Sequence, residues 1–351
     1  MRIPAALILF LLTSALPAQP QDPPKKPIVW ILSTGGTIAG QGASSTSLTE
    51  YKGGVLTGAD LVKAVPEIPL IADVKVEQIA NVGSPNITIA HWLTLSKRIN
   101  QIFSTEPNTA GVVITHGTNT LEETAYFLNL TVKHDRPVVL VGSMRPATAI
   151  SADGPLNLLN AVRTAASPAA RGKGVLVVLN DEINAARDVT KTNTLRVETF
   201  RSPDLGYLGY IDGDKLTFYR SPTRRHTTAS EFDVASLKEL PPVEIIYSYV
   251  QPSPVLIQAL LAAGVKGIVM AGSGAGLISN VEKEALAQAK GTIIIRSNRT
   301  GTGRVPPRED DATLGMIAAD NLNPQKARIL LMLALTKTAD PTEIRRIFEQ
   351  Y

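Results

Sequence analysis

The sequence predicts an α/β protein in two parts: a larger N-terminal domain on a doubly wound, mostly parallel sheet, and a smaller C-terminal α/β domain. Three observations support this prediction. Continuous runs of Val, Ile and Leu alternate with helical patterns, as buried parallel strands and their crossover helices do. A polar stretch rich in helix breakers interrupts the alternation at 221–242, after which it resumes. The length of 351 residues, 44% of them hydrophobic, also suits about two domains.

The larger domain is expected at residues 28–220. Its strands are predicted at 28–33, 74–79, 111–115, 138–141 and 175–179. Its helices are predicted at 58–64, 89–103, 121–132 and 155–165. Thr120 and Glu123 have the spacing of a capping box, which predicts that the third of these helices begins there.

The smaller domain is expected at residues 243–351, with 221–242 as the linker. Predicted strands lie at 243–247, 267–271 and 292–296, and predicted helices at 255–263 and 281–289. A further helix should begin at Asn323 and Pro324, because Asn is a preferred cap and Pro suits the first helical turn. Its apolar residues Ala327, Leu330, Leu331 and Ala334 share one face.

The first 18 residues differ from the rest of the chain. Arg2 precedes an apolar run at 5–12, and small residues follow, which is typical of a secretory signal peptide. The run is far shorter than the roughly 20 residues of a membrane span. We therefore expect a signal peptide at 1–18, a tether at 19–27, no stable membrane span, and a periplasmic or secreted protein. A permanent anchor is the alternative.

Composition excludes several kinds of chemistry. There is no cysteine, so the chain has neither disulfides nor a thiol nucleophile. The formal net charge is only +4, and the Lys and Arg residues are scattered rather than gathered in a basic stripe. We therefore expect no nucleic-acid partner.

Two threonine-bearing turns are the strongest candidates for a site. Residues 34–40 (TGGTIAG) and 115–120 (THGTNT) each follow a predicted strand, and open α/β sheets bind ligands at the carboxyl ends of their strands. The hydroxyls of interest are Thr37 and Thr118. The first turn lacks the endings of a P-loop and of a dinucleotide fingerprint, which argues against a phosphate cradle. His116 is either a general base or a structural histidine at a strand end.

A threonine hydroxyl is a weak nucleophile until another group accepts its proton. Lys191 is the best candidate for that group, because it lies among hydroxyl and amide residues at 187–194. A buried lysine loses its charge more readily than an exposed one and can then act as a base. An ordinary surface lysine is the alternative.

Four motifs, in the same order, resemble those of the bacterial type II L-asparaginases. They are the turn at 34–40, the pattern His-Gly-Thr-x-Thr-x-Glu-Glu at 116–123, and the stretches 144–155 and 188–194. The likeness covers residues 28–351. It implies hydrolysis of the side-chain amide of L-asparagine to aspartate and ammonia, without a metal or an organic cofactor. It also implies a homotetramer made of two intimate dimers.

The resemblance assigns roles residue by residue. Thr37 corresponds to the nucleophile that forms an acyl-enzyme, and Tyr51 is similar to the lid tyrosine that activates it. Thr118 and Lys191 correspond to the second hydroxyl and its base, which act on water. Ser84 matches the residue that binds the α-carboxylate of the substrate.

Three positions depart from the family pattern. Asn119 stands where the family usually has an aspartate that pairs with the α-ammonium group, so we expect weaker substrate binding. Pro85 stands where many relatives have Gln or Glu, so we expect glutamine to be the poorer substrate. Ala275 stands where the family often has an asparagine contributed to the partner subunit.

Three other functions are compatible with parts of this pattern. An exported amino-acid-binding protein also has two α/β domains but needs neither Thr37 nor Lys191. The amidase subunit of a tRNA-dependent amidotransferase shares the threonine domain, but an export signal argues against it. An inactive asparaginase homologue is the third, given Asn119 and Ala275.

Overall fold

A computed structural model describes residues 25–351. The proposed signal peptide and the tether up to residue 24 lie outside this range. The strands are β1 (Ile28–Gly35), β2 (Gln41–Gly42), β3 (Tyr51–Lys52), β4 (Asp73–Val82), β5 (Thr109–Thr115), β6 (Val138–Val141), β7 (Val175–Leu179), β8 (Glu182–Ala185), β9 (Thr190–Lys191), β10 (Phe200–Arg201), β11 (Gly209–Asp212), β12 (Lys215–Phe218), β13 (Val243–Tyr247), β14 (Gly267–Gly272), β15 (Ile293–Asn298) and β16 (Met316–Ala318). The helices are α1 (Gly58–Lys63), α2 (Ile68–Ile71), α3 (Ile89–Thr105), α4 (Leu121–Thr131), α5 (Gly154–Ala166), α6 (Val255–Ala262), α7 (Asn280–Leu286), α8 (Glu309–Leu314), α9 (Pro324–Leu335) and α10 (Pro341–Gln350).

The larger domain is built on an eight-stranded sheet in the order β12-β11-β8-β7-β6-β5-β1-β4. The strands from β4 to β7 pair in parallel, whereas β8, β11 and β12 add an antiparallel edge. Because β1 and β5 are central neighbours, their carboxyl ends lie side by side, with Ser33 paired in register with Thr115. The two threonine turns therefore leave the sheet at the same edge.

Helices cover both faces of this sheet. Side chains alternate along a strand, so Val112 and Ile114 of β5 pack into the same apolar core as α3 and α4, whereas Val113 packs with α5 on the opposite face. All three are fully buried. This arrangement explains why the strands read as continuous apolar runs rather than as alternating ones.

The smaller domain has a four-stranded parallel sheet in the order β13-β14-β15-β16. Its helix α9 packs against α4, and the apolar core on that side of the large sheet continues through α9 into β13 and β14. The stretch 221–242 is also partly buried: Phe232 is 1% exposed and its ring lies 5.1 Å from that of Tyr351. The two sheets are thus connected by packed helices and a shared apolar core, and not only by the linker segment.

The structure confirms the predicted fold class, and each strand and helix predicted for the two domains is present with its bounds shifted by a few residues. The predicted start of α4 is confirmed, because Thr120 occupies its N-cap position, but the capping box predicted there is wrong. The Thr120 hydroxyl donates to the backbone oxygen of Ser84 at 2.8 Å and makes no side-chain cap. The Thr120 hydroxyl therefore makes a long-range hydrogen bond to Ser84 instead of capping α4.

Between residues 25 and 351, no helix combines the length and the apolar character that crossing a membrane requires.

Candidate active site

Two glycines bring the threonine turns together. Gly36 has a φ of 84°, and a Cβ placed on it would lie 2.3 Å from the backbone of Gly117. Only a residue without a side chain permits this approach. Thr37 and Thr118 each directly follow one of these glycines. The contact therefore fixes the two hydroxyl-bearing residues on neighbouring strand ends.

Thr37 is paired with Tyr51. Their hydroxyl oxygens lie 2.8 Å apart, so one donates a hydrogen bond to the other. Tyr51 stands on β3, which pairs with β2 in a short antiparallel hairpin. The ring of Tyr51 crosses the backbone so closely that a Cβ on Gly40 would lie 2.9 Å from it. The hairpin thus places a phenol against the Thr37 hydroxyl.

Thr118 is paired with Lys191. The Lys191 Nζ donates to the Thr118 Oγ1 and to the Asn119 Oδ1, both at 2.8 Å. Lys191 is held on β9, opposite Phe200 of β10. Burial lowers the pKa of Lys191, and the charge of Glu122 opposes that shift. The amine is therefore a stronger candidate for a base than a surface lysine is.

Ser84 and Pro85 border the same turn. Ser84 is buried, and its Oγ accepts a hydrogen bond from the Asn119 backbone N–H at 3.1 Å. That N–H at the start of α4 is therefore already partnered. Pro85 is exposed and follows Ser84 in a short 3-10 turn, where it offers no backbone N–H.

His116 is a structural histidine, which resolves the alternative left open by the sequence. Its Nδ1–H donates to the backbone oxygen of Gly117 at 2.8 Å, and its Nε2 accepts from the Thr124 hydroxyl at 2.9 Å. The Thr124 Oγ1 in turn accepts from the Trp92 indole N–H at 2.8 Å. This chain defines one neutral tautomer. Complete burial lowers the pKa of His116 to about 4.

Sequence reasoning gave no role to two buried charged residues beside the site. Glu122 is 5% exposed and accepts from Gln325 Nε2 at 2.7 Å, whereas Lys326 is 2% exposed and donates to the backbone oxygens of Arg187 and Val189. Burial lowers the pKa of Lys326 to about 8. For Glu122, the sequence signal was the pair of glutamates that ends the motif at 116–123. No sequence signal pointed to Lys326.

A cavity of about 480 Å³ opens beside the amine. It is lined by Asn119, Glu122, Lys191, Thr192, Asn193 and Thr194. Its walls carry mostly hydroxyl and amide groups, which suits a small polar ligand. Within the described part of the chain, no three His, Cys, Asp or Glu side chains cluster as a metal site requires.

Known proteins share both the sequence and the fold. Residues 28–224 match the family model of the asparaginase N-terminal domain, and residues 242–348 match that of the glutaminase/asparaginase C-terminal domain. The L-asparaginase 2 of Bacillus subtilis is 54% identical over 93% of this chain and 87% of its own length. A probable periplasmic L-asparaginase of Haemophilus influenzae is 50% identical over 93% of each chain. A crystal structure titled probable cytoplasmic L-asparaginase from Campylobacter jejuni superposes with a TM-score of 0.91, at 51% identity, over 93% of this chain and all of that one.

The family models and the relatives together define this two-domain α/β protein as an amidohydrolase class of enzyme. With both family models matched over most of its length, the chain belongs to the asparaginase family.

The His116 environment predicts an acid-sensitive fold. The folded pKa of about 4 lies below the ordinary value of 6.5, so on acidification the unfolded chain takes up this proton first. The free energy of unfolding should fall as the pH drops from about 6.5 to about 4, by up to about 3 kcal/mol from this group. Urea denaturation at several pH values measures it. His116→Gln should show a shallower decline, and an equally steep decline would contradict the assignment.

Proposed function

We propose that this chain hydrolyses the side-chain amide of L-asparagine to L-aspartate and ammonia through a threonine acyl-enzyme. The observation that carries the proposal is the pair of contacts Thr37–Tyr51 and Thr118–Lys191 on adjacent strand ends. Each contact joins a hydroxyl to a group able to accept its proton. The names of the relatives support the choice of substrate.

In the first half-reaction, the Thr37 Oγ1 attacks the side-chain carbonyl carbon while the Tyr51 hydroxyl relays the Thr37 proton: its oxygen accepts that proton as it gives up its own, so the phenol stays neutral. The C–N bond then breaks, the proton passes to the leaving nitrogen, and ammonia departs. An ester between Thr37 and the aspartyl group remains. Splitting one difficult step into two easier ones is the advantage of such covalent catalysis.

In the second half-reaction, water attacks the ester. Lys191 and Thr118 hold the water and accept its proton, which is then returned to the Thr37 oxygen as aspartate leaves. The lowered pKa of Lys191 makes its neutral form accessible, and its 2.8 Å contact gives Thr118 a direct route for the proton. The proposal includes no metal and no organic cofactor.

Ser84, Pro85, Thr118 and Asn119 form the proposed substrate-binding edge. Ser84 binds the α-carboxylate, and Asn119 accepts from the α-ammonium group through its amide oxygen. That oxygen already accepts from Lys191 and carries no charge, so it holds an ammonium group less strongly than a carboxylate does.

We propose a homotetramer built as a dimer of intimate dimers, with the site completed by the smaller domain of the partner subunit. Large apolar residues stand exposed on that domain, including Tyr247, Val250 at 91% exposure, Val255 and Leu256. Apolar patches of this kind mark protein interfaces.

We also propose an exported protein with its signal peptide at 1–18, in the periplasm or secreted. The charged start and short apolar run support export. The working division into domains is 28–220 and 243–351, joined by 221–242; the family-model bounds of 28–224 and 242–348 support it.

Removing either proposed catalytic group should abolish turnover. Thr37→Ala should lower kcat for asparagine by a factor on the order of 10⁴ or more, because a missing nucleophile has no substitute, and Lys191→Met should act similarly. Ammonia release measures both. Lys52→Met removes an exposed lysine beside Tyr51 and should leave kcat unchanged. Full activity in Thr37→Ala would contradict the role of Thr37 as the nucleophile, whereas no ammonia release from the unmodified protein would leave the binding-protein alternative as the better account.

Restoring a charge at position 119 should tighten binding. Asn119→Asp should lower the KM for asparagine several-fold, because charge-assisted hydrogen bonds are about twice as strong as neutral ones. The new carboxylate lies next to the amine and should raise the pKa of Lys191, so kcat is compared on the alkaline plateau of each variant's own pH profile. Steady-state kinetics test this, and an unchanged KM would remove the role assigned to Asn119.

Glutamine should be the poorer substrate. Pro85 supplies no polar side chain and no N–H to hold a ligand one methylene longer. We expect kcat/KM for asparagine to exceed that for glutamine by at least about tenfold, since one misplaced methylene typically changes it 10- to 200-fold. Parallel ammonia-release assays decide it, with Pro85→Gln expected to narrow the gap. Equal values for the two amides in the unmodified protein would contradict it.

A further inference from the structure

The carboxylate of Glu122 is buried next to the proposed active site with one oxygen unpartnered. It stands in the first turn of α4, four residues after Thr118. Its Oε1 accepts a hydrogen bond from Gln325 Nε2 at 2.7 Å, whereas its Oε2 is buried without a hydrogen-bond partner. A buried carboxylate with only one oxygen hydrogen-bonded destabilises the folded state unless another interaction compensates for it.

Two lysines feel the charge of Glu122: the buried Lys326, whose pKa it raises, and Lys191, which faces it across the cavity. Glu122 and Lys191 line the same space of about 480 Å³. Asn119 lines the same cavity and accepts from the amine, but it is neutral. Of the side chains that line this cavity, Glu122 alone carries a negative charge.

The remaining charges around Glu122 come from three elements. Glu123 shares its helix, and Lys326 approaches from α9 with its Nζ bonded to the oxygens of Arg187 and Val189. Arg187 and Asp188 precede β9 and form an ion pair at 3.4 Å. None of these lines the cavity that contains the amine.

We propose that Glu122 is a positioning residue that acts through Lys191: its carboxylate, held across the domain interface by Gln325, supplies the counter-charge that orients the amine toward Thr118 and sets its proton affinity. This inference rests on the proposed function and deepens it. It also gives the smaller domain of the same subunit a role at the site, because Gln325 belongs to α9.

Gln325 matters because its side-chain N–H donates to a carboxyl oxygen of Glu122. An N–H donated to a carboxylate favours ionisation, and the ionised form is the one that attracts an ammonium group. Burial favours the neutral amine, and the charge of Glu122 opposes it. These opposing influences bear on how readily Lys191 holds and releases a proton, as a base that cycles during turnover must.

The test measures the proton affinity of Lys191 directly. Trace acetylation with acetic anhydride labels only the neutral amine, and mass spectrometry of the peptide carrying Lys191 gives the labelling midpoint against pH. Glu122→Gln keeps an oxygen that can accept from Gln325 but removes the charge. We expect its midpoint to fall by on the order of one pH unit, with the acid limb of kcat/KM shifting the same way.

Glu123→Gln is the matched control, since it removes the adjacent carboxyl from the same helix without touching the cavity. It should leave the midpoint in place. Gln325→Leu removes the donor that holds the Glu122 carboxylate in place, so the counter-charge should act less on the amine and the midpoint should fall in the same direction as in Glu122→Gln. This variant also decides the question if Glu122→Gln does not fold.

An unchanged labelling midpoint in Glu122→Gln, or an equal shift in Glu123→Gln, would overturn the proposal. A shift in the acid limb of kcat/KM without a change in the labelling midpoint of Lys191 would overturn it as well. If the protein releases no ammonia from asparagine, the proposed function fails by itself, while the labelling experiment still reports whether Glu122 governs the amine.

Discussion

The site depends on the close approach of two backbones at Gly36 and Gly117. The limit is severe, since a single methyl group at Gly36 would come within 2.3 Å of the facing chain. On one side of this contact lie Thr37 and the tyrosine hairpin. On the other lies the turn in which Thr118 accepts from Lys191 and the Asn119 backbone N–H donates to Ser84. The parallel pairing of β1 with β5 brings the two glycines level. Sheet register and glycine geometry together therefore assemble the proposed active site.

Much of the fold could be predicted from the sequence, because buried parallel strands leave a strong local signal. Unbroken apolar runs marked the core strands, and Asn323 with Pro324 marked the start of α9. The antiparallel edge was missed, although Asn180 and Asp181, both at positive φ, form the tight turn between β7 and β8 that an Asn-Asp pair favours. The two-residue strands β2, β3, β9 and β10 are too short for any periodicity.

Site residues could be predicted from the sequence only where they lie in a recognisable local motif. Thr37, Thr118 and Lys191 stood in recognisable stretches, and the structure brings Lys191 into contact with Thr118 from 73 residues away. The Thr120 cap failed because its hydroxyl bonds Ser84, a partner that no local pattern reveals. The same holds for Gln325 and Glu122, which are 203 residues apart. Charged groups whose partners lie on another domain cannot be paired by sequence spacing alone.

The hydrogen-bonded chain from Trp92 to His116 has a practical consequence. The protein contains two tryptophans. The indole N–H of Trp92 donates to the Thr124 hydroxyl, which in turn donates to His116. The Trp92 ring is stacked 5.2 Å from that of Phe127. The other, Trp30, lies beside Lys75 and Arg98 on a different part of the surface. Indole emission responds to its polar neighbours, so the molecule carries an intrinsic fluorophore one hydrogen-bond relay away from its reaction centre. Removing the signal of Trp30 would leave an optical reporter of that turn without any attached dye.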